Sequence, residues 1–286
     1  MSKPSRGVVA VGGLSHVVRS APASASSADG SALRSAVGAW LVGADAAICA
    51  ITSQDFPTEL SLDISRAGID LSRVRSGPDQ DASLHGEVDP TVDQLASIGP
   101  EWSVHVCGMP LERQRELVRA ATHRAALVTI DGPSLQGRAR AEPTTTLELA
   151  SECDAFLPGR REVEQLWPGQ PPREVLRLLG RRGVRAAVIK LGVGGSIGIR
   201  DNTISWMPAF PVTASRATSG GDAYGGAFAA RFSIDRNLPR AMAWATAAAS
   251  VIIESSMVVD QLTEFARRTV EYRARMLEAD IRRETL

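Results

Sequence analysis

Short apolar runs alternate with amphipathic stretches along most of this chain, and no other feature constrains its fold as tightly. Val8–Val11, Ala46–Ile51, Ser103–Cys107, Ala126–Asp131, Ala155–Leu157 and Ala186–Leu191 have the length and apolar content of buried strands. Helices are expected between them at Ala32–Val42, Pro57–Ala67, Leu111–Ala121, Leu147–Cys153, Arg161–Trp167 and Arg173–Leu179. The Pro57 segment carries the signals: proline in the first turn, Leu60 and Ile64 on one face, and Gly68 as the stop. Ser196–Arg200 and Ile204–Met207, parted by Asp201-Asn202-Thr203, read as a hairpin, and about 220–232, 238–254 and 260–283 read as helices. Buried strands separated by helices imply βαβ units, hence an α/β fold of three layers with a mostly parallel central sheet.

Composition narrows the function. Lysine plus arginine and aspartate plus glutamate both total 32, so no net field attracts nucleic acid, and aromatics at 5% offer no stacking platform for single strands. Cys49, Cys107 and Cys153 are odd in number, widely spaced and without a C-x-x-C pair, which points to reduced thiols. His16, His85, His105 and His123 lack the i, i+4 spacing of a metal-binding helix. Val8–Val11 is too short for a signal sequence and far too short to span a bilayer, so a soluble cytoplasmic protein with no membrane partner is expected.

In open parallel sheets, ligands sit beyond the carboxyl ends of the strands. Glycines fall at such ends after Val11, Leu191 and Ser219. The strongest signal is Ala217-Thr218-Ser219-Gly220-Gly221-Asp222-Ala223-Tyr224-Gly225-Gly226, a turn that runs straight into a helix of small residues. Two glycines leave N–H groups uncovered at a helix N-terminus, where the dipole is positive, and so make an anion site. Asp222 is then either a working carboxylate or an ordinary first-turn acid. Upstream, Val188-Ile189-Lys190-Leu191-Gly192-Val193-Gly194-Gly195-Ser196 brings a lysine and a glycine turn to the same edge, though a plain tight turn between strands accounts for its glycines equally well.

Residues 216–228 resemble the D-T-T-G-A-G-D-A-F-x-G-A-F signature of the ribokinase-like (PfkB) carbohydrate kinases. The glycine turn after Lys190 is similar to that family's K-x-G-x-x-G segment, and Gly159-Arg160-Arg161-Glu162 to its N-x-x-E segment, with glycine for asparagine. Val42–Ile51, Asp55-Phe56 and Ala67–Val74 follow its L-G-A-x-V…D-x-x-G…G-V-D-x-S-x-V run, so the likeness extends over roughly residues 7–258. It implies one ribokinase-like domain over 1–286 with a small, reduced lid from segments at about 13–31 and 76–100. The second of these, with Val88, Val92 and Leu95 behind Asp89-Pro90, suits a short helix better than a strand. It further implies ATP and Mg²⁺ as cofactors. Asp222 would take the proton of the acceptor hydroxyl, with Ser219, Gly220 and Gly221 around the transferring phosphoryl group. Lys190, Gly192, Gly195 and Thr218 would lie at the nucleotide, and Glu162 would reach the metal through water. The alternative for Glu162 is a first-turn helix acid.

The acceptor half departs from the family. Gly12–Val17 places Val17 where an aspartate would grip sugar hydroxyls, and Asp29-Gly30-Ser31-Ala32-Leu33-Arg34 places Arg34 at the asparagine of G-G-x-x-x-N. Ser15, Gly30 and Arg34 remain as acceptor contacts, and an arginine in a pocket short of other charge favours an anionic acceptor, unless Arg34 is an exposed helix residue. Arg216 replaces the aspartate that helps hold a monovalent cation in relatives; a guanidinium cannot ligate K⁺ but could supply positive charge near the anion site, so little dependence on K⁺ is expected, and the alternative is a surface arginine at a strand end. The expected function is phosphoryl transfer from ATP to a hydroxyl of a sugar, nucleoside or related small polar metabolite, possibly an anionic one. The alternative is a non-catalytic descendant that binds a metabolite or partner. A dinucleotide oxidoreductase fits poorly, because Gly12-Gly13 never extends to G-x-G-x-x-G. The family's lid often forms a dimer interface, so a homodimer is allowed.

Overall fold

The computed structural model describes residues 7–18, 26–77, 89–134, 142–213, 220–255 and 259–285. In chain order its first elements are β1 (Gly7–Val11), β2 (Ser15–Val18), β3 (Ser26–Asp29), α1 (Ser31–Leu41), β4 (Asp45–Thr52), α2 (Thr58–Arg66) and β5 (Ile69–Ser76). There follow β6 (Trp102–Val106), α3 (Leu111–Thr122), β7 (Leu127–Asp131), α4 (Pro143–Glu152), β8 (Ala155–Leu157), α5 (Arg160–Leu166), α6 (Pro172–Arg181) and β9 (Ala186–Lys190). The last are β10 (Ser196–Arg200), β11 (Thr203–Met207), α7 (Gly220–Asp235), α8 (Leu238–Glu254), α9 (Glu264–Ala279) and β12 (Arg282–Thr285).

The main sheet has the order β12-β11-β10-β9-β8-β7-β6-β1-β4-β5, parallel from β9 to β5 and antiparallel from β9 to β12. Alternation along β1 shows how the layers form. Val8 and Ala10 face a core shared with α1, α7, α8 and α9, while Val9 and Val11 face a second core shared with α3, α4, α5 and α6. All four are fully buried, and each such valine contributes about 1.5–3 kcal/mol relative to exposure. The chain leaves β1 for β4 and β5 on one side and returns to β6 on the other, so the carboxyl ends of β1 and β6 border a switch point.

Helix α7 is buried from Ala223 through Ala230, as its mixture of alanine, glycine and aromatics requires. It lies against α1 at a separation that only glycine permits. A Cβ on Gly226 would strike the Ser35 carbonyl, and one on Gly38 would strike the Ala223 carbonyl. This contact sets the first turn of α7 beside the first turn of α1.

The first lid segment forms the antiparallel hairpin β2–β3, with Ser15 opposite Asp29. Leu14 and Ala28 at its base are buried in the α1 core, and the His16 ring meets Phe56 edge-on at 6.2 Å. In the second segment a single 3-10 turn, Val92–Leu95, takes the place of the expected helix, and residues 78–88 lie outside the described residues. A capping box between Thr91 and Gln94 starts that turn, and buried Gln94 donates to the carbonyls of Ala50 and Arg73. The segment expected to be helical to residue 283 instead ends α9 at Ala279 and adds β12 antiparallel to β11.

Candidate active site

Four parallel strands deliver their carboxyl ends to one edge of the sheet. Asp131 closes β7, Pro158 and Gly159 follow β8, Lys190 closes β9, and Cys107 follows β6. A bridge between Gly159 and Lys190 locks the β8 and β9 ends together, with the Lys190 amide donating to the Pro158 carbonyl at 2.9 Å. Gly220 and Gly221 begin α7 above this edge, and Asp222 follows in the first turn. Together they border a cavity of about 760 Å³ that also takes in Glu162, Gly192, Gly195, Phe210, Tyr224 and Ile253. Gly195 sits at φ +80° with the Met207 carbonyl where a Cβ would be, so the turn after β9 accepts no other residue without distortion.

Charge in the site is paired along a chain of contacts. The Lys190 ammonium donates to Asp131 and, at 3.2 Å, to the Gly221 carbonyl, which ties the sheet edge to the start of α7. Nδ1 of His105 shares a hydrogen bond with Thr129 at 2.9 Å, and its Nε2 lies 3.4 Å from Asp131 Oδ2. Burial opposes ionisation of Asp131, but Lys190 and His105 outweigh it and hold the carboxyl below its ordinary range. Burial likewise opposes the charge on Lys190, and Asp131 outweighs it, so the lysine is raised. The Asp222 side chain, 21% exposed, is pushed up by burial, with Arg34 opposing and Asp131 adding to the rise.

Arg34 projects from α1 to the other side of Asp222. Its Nη1 donates to Asp222 Oδ2 at 2.6 Å and its Nε to Asp29 Oδ1 at 2.9 Å. The same Asp29 oxygen accepts the Gly30 amide at 2.9 Å. Gly30 has φ +127° and lies against the Gly13 carbonyl, where no side chain fits. Ser15, Gly30 and Arg34 thus gather around the hairpin base. The premise of a pocket short of charge does not hold: Arg34 is already paired with two carboxylates. Arg34 remains charged, its own burial outweighed by Asp222 and Asp29.

Thr218 and Ser219, expected at the nucleotide and the phosphoryl group, and Arg216 lie outside the described residues. Glu162 stands in the first turn of α5 beside Gly132 and Gly159, on the cavity wall. Among the described residues no cluster of three or more His, Cys, Asp or Glu is arranged to hold a metal. Glu162 on the wall, with Asp131 taken up by Lys190 and Asp222 by Arg34, fits an Mg²⁺ that keeps its waters and leans on phosphate oxygens, and does not fit a protein-caged ion. Asp29, Asp131 and His105 were not singled out from the sequence. The available signals were an aspartate directly ahead of the Gly30 turn and another at the carboxyl end of a buried parallel strand.

A mostly parallel sheet with a glycine-opened helix and a carboxylate at its carboxyl edge agrees with the resemblance, and a family match settles it. Residues 25–264 match the pfkB family of carbohydrate kinases, and the chain belongs to that family; it is a kinase. Its fold is that of a Vibrio cholerae O395 fructokinase bound to fructose, ADP and calcium, at TM-score 0.74 and 16% identity, covering 93% of this chain and 99% of that one. A Salmonella enterica aminoimidazole riboside kinase, complexed with aminoimidazole riboside and an ATP analogue, superposes at TM-score 0.73 and 16% identity, over 92% and 100% of the two chains. Arabidopsis thaliana ribokinase, complexed with ribose and ATP, does so at 0.72 and 17% identity, over 95% and 99%. No curated protein matches the sequence. No helix among the described residues is long and apolar enough to cross a membrane.

Proposed function

We propose that this kinase transfers the γ-phosphoryl group of ATP to a hydroxyl of a neutral polar metabolite, a sugar or a nucleoside, with Asp222 as general base. The observation that carries the reading is the place of Asp222. It stands in the first turn of α7, on the wall of a nucleotide-sized cavity, and its carboxylate meets the acceptor-side hairpin through Arg34. Bound ATP supplies the phosphoryl group, and Mg²⁺ offsets charge on its phosphates. Phosphoryl transfer asks the protein chiefly for positioning and for stabilisation of charge on the equatorial oxygens. The N–H groups at the start of α7, those of Gly220 and Gly221 among them, meet the second need. Lys190, held by Asp131, fixes that turn over the sheet edge, and Glu162 would hold the metal through water. Asp222 accepts the hydroxyl proton as the acceptor oxygen bonds to phosphorus and the bond from phosphorus to the β-phosphate oxygen breaks, releasing ADP.

A neutral acceptor follows from the charge count on the hairpin side. Among the described residues, Asp29 and Asp222 both pair with Arg34, and an anionic acceptor would have to compete with these two carboxylates for the guanidinium. The test is ATP consumption with Mg²⁺ across matched neutral and phosphorylated or carboxylated sugars and nucleosides. A neutral acceptor is expected to be turned over best. Preference for the anionic member of each pair would sink the neutral reading. Binding of ATP without turnover by any acceptor would favour a non-catalytic descendant.

A further inference from the structure

Three contacts bind the first two turns of α7 to the start of α1. Arg34 Nη1 takes Asp222 Oδ2 at 2.6 Å, Ser35 Oγ donates to the Asp222 carbonyl at 2.9 Å, and the backbones meet at Gly226 and Ser35. Among the described residues, Asp222 Oδ1 has no hydrogen bond, so one oxygen of the carboxylate is fixed and the other is left for a ligand. Arg34 is in turn fixed by Asp29, the last residue of β3, whose side chain is 10% exposed. The hairpin that carries Asp29 is seated by buried Leu14 and Ala28. The guanidinium is therefore a tie between the hairpin and the carboxylate, with both of its bonded nitrogens engaged inside the protein.

We propose that Arg34 is a positioning residue for the base: it fixes Oδ2 of Asp222, leaves Oδ1 to take the acceptor's proton, and through Asp29 makes that arrangement depend on the seating of the hairpin. The inference rests on the kinase reading above and assigns Arg34 a role other than gripping an anionic acceptor. It has a signed electrostatic consequence. Among the described residues, the groups around Asp222 are Arg34 from α1 with Asp29 of β3 behind it, Cys107 after β6, Asp131 from β7 with His105 behind it, and Lys190 from β9. Burial raises Asp222 and Arg34 opposes that rise. Removing Arg34 therefore raises the titration midpoint of Asp222 further. Removing the charge of Asp29 lowers it, because a neighbouring negative charge is gone and Arg34 is no longer shared.

The test is a ¹³C NMR titration of the aspartate carboxyl carbons in Arg34→Met and Asp29→Asn, with the Asp222 signal assigned by its loss in Asp222→Asn. It needs no acceptor. Arg34→Met is expected to move the midpoint up by about 1–3 pH units, and Asp29→Asn to move it down. With the neutral acceptor identified by the screen, the acid limb of kcat/KM should move with the midpoint, and kcat should fall more than KM rises. An unmoved midpoint in Arg34→Met overturns the proposal, as does a steep rise in KM alone, which would mark an acceptor-binding arginine. If Arg34→Met does not fold, Asp29→Asn decides, since it keeps the cation and must shift the midpoint downward; an upward or absent shift overturns the proposal. Normal shifts without turnover by any acceptor overturn the kinase reading, and the role of Arg34 toward a base with it. Turnover with an unmoved midpoint overturns the positioning role alone.

Discussion

On the cavity side, Asp222 shares the wall with the glycine backbone of Gly220 and Gly221 and with Asp131 and Lys190, which are paired to each other, whereas on the hairpin side its own carboxylate is bound by Arg34, which is shared with Asp29. The difference follows from what each side has to recognise. A phosphate tail is the same whatever the acceptor, and backbone amides at a helix start serve it without depending on side-chain identity. An acceptor is distinguished by the pattern of its hydroxyls, and only side chains can read that pattern.

The largest effect expected is on the residue both sides share. Asp222→Asn should lower kcat by about 10²–10⁴ if general-base help is its role, with ATP affinity largely kept. An ATP titration of the same variant checks the second half of that statement. Loss of both turnover and nucleotide binding would mean that the carboxylate also holds the cavity side together.

Lys190→Met addresses the cavity side alone. Asp131 and Lys190 are 6% and 14% exposed, and removing one member of a buried pair costs about 3–5 kcal/mol because the other charge is left behind. The pH dependence carries the sign. Asp131, held below its ordinary value of 3.8, contributes stability above that value and loses it as pH falls through the lowered one. Lys190, raised above 10.5, contributes below that value and loses it as pH rises through the raised one. Wild type should thus weaken as acid protonates Asp131. The variant should recover stability on acidification, since protonation relieves an unpaired buried carboxylate. Parallel profiles from urea unfolding at about pH 3 and about pH 7, on either side of the ordinary carboxyl value, would show that the pair carries no such coupling.

These contacts also mark how far the sequence could be read. Gly220, Gly221 and Asp222 were legible because the chemistry of a helix start is local, and Lys190 because it ends a buried strand beside glycines. Asp131 was not, since its partner Lys190 is 59 positions away, and the tie from Arg34 to Asp222 spans 188. Nothing local records such pairs. The strands β5 and β12 escaped for a different reason. In β5 a register shift opposite Ala47 and Cys49 breaks the two-residue period, and β12 is exposed throughout and pairs through its backbone with no apolar side chain. The central strands, buried on both faces, announced themselves as apolar runs.

Gly226→Ala joins the two sides mechanically. The added methyl meets the Ser35 carbonyl, and overpacking of this kind costs about 1–3 kcal/mol. Relief requires α1 and α7 to separate, which lengthens the contact between Arg34 and Asp222. Stability and kcat should fall together, and a fall in stability with unchanged kcat would show that the base does not depend on the spacing of these helices.

Glu284→Ala is expected to have the smallest effect and serves as the reference for the others. Glu284 lies in β12 and pairs with Arg173 on α6, both side chains well exposed at 44% and 38%. Exposed ion pairs contribute about 0–1 kcal/mol, because water screens the attraction and two long side chains lose freedom in making it. The backbone pairing of β12 with β11 does not involve the carboxylate, so the strand should stay in place. Chemical denaturation should therefore show a midpoint near that of wild type, and kcat and KM for both substrates should be unchanged. A loss above about 2 kcal/mol, more than an exposed pair supplies, would mean that β12 closes the sheet edge through this contact rather than through its backbone. In that event β11 would be exposed as an edge strand, and aggregation should rise with it. The effects assigned to Asp222, Lys190 and Gly226 would then have to be measured against a scaffold less rigid than its hydrogen bonding implies.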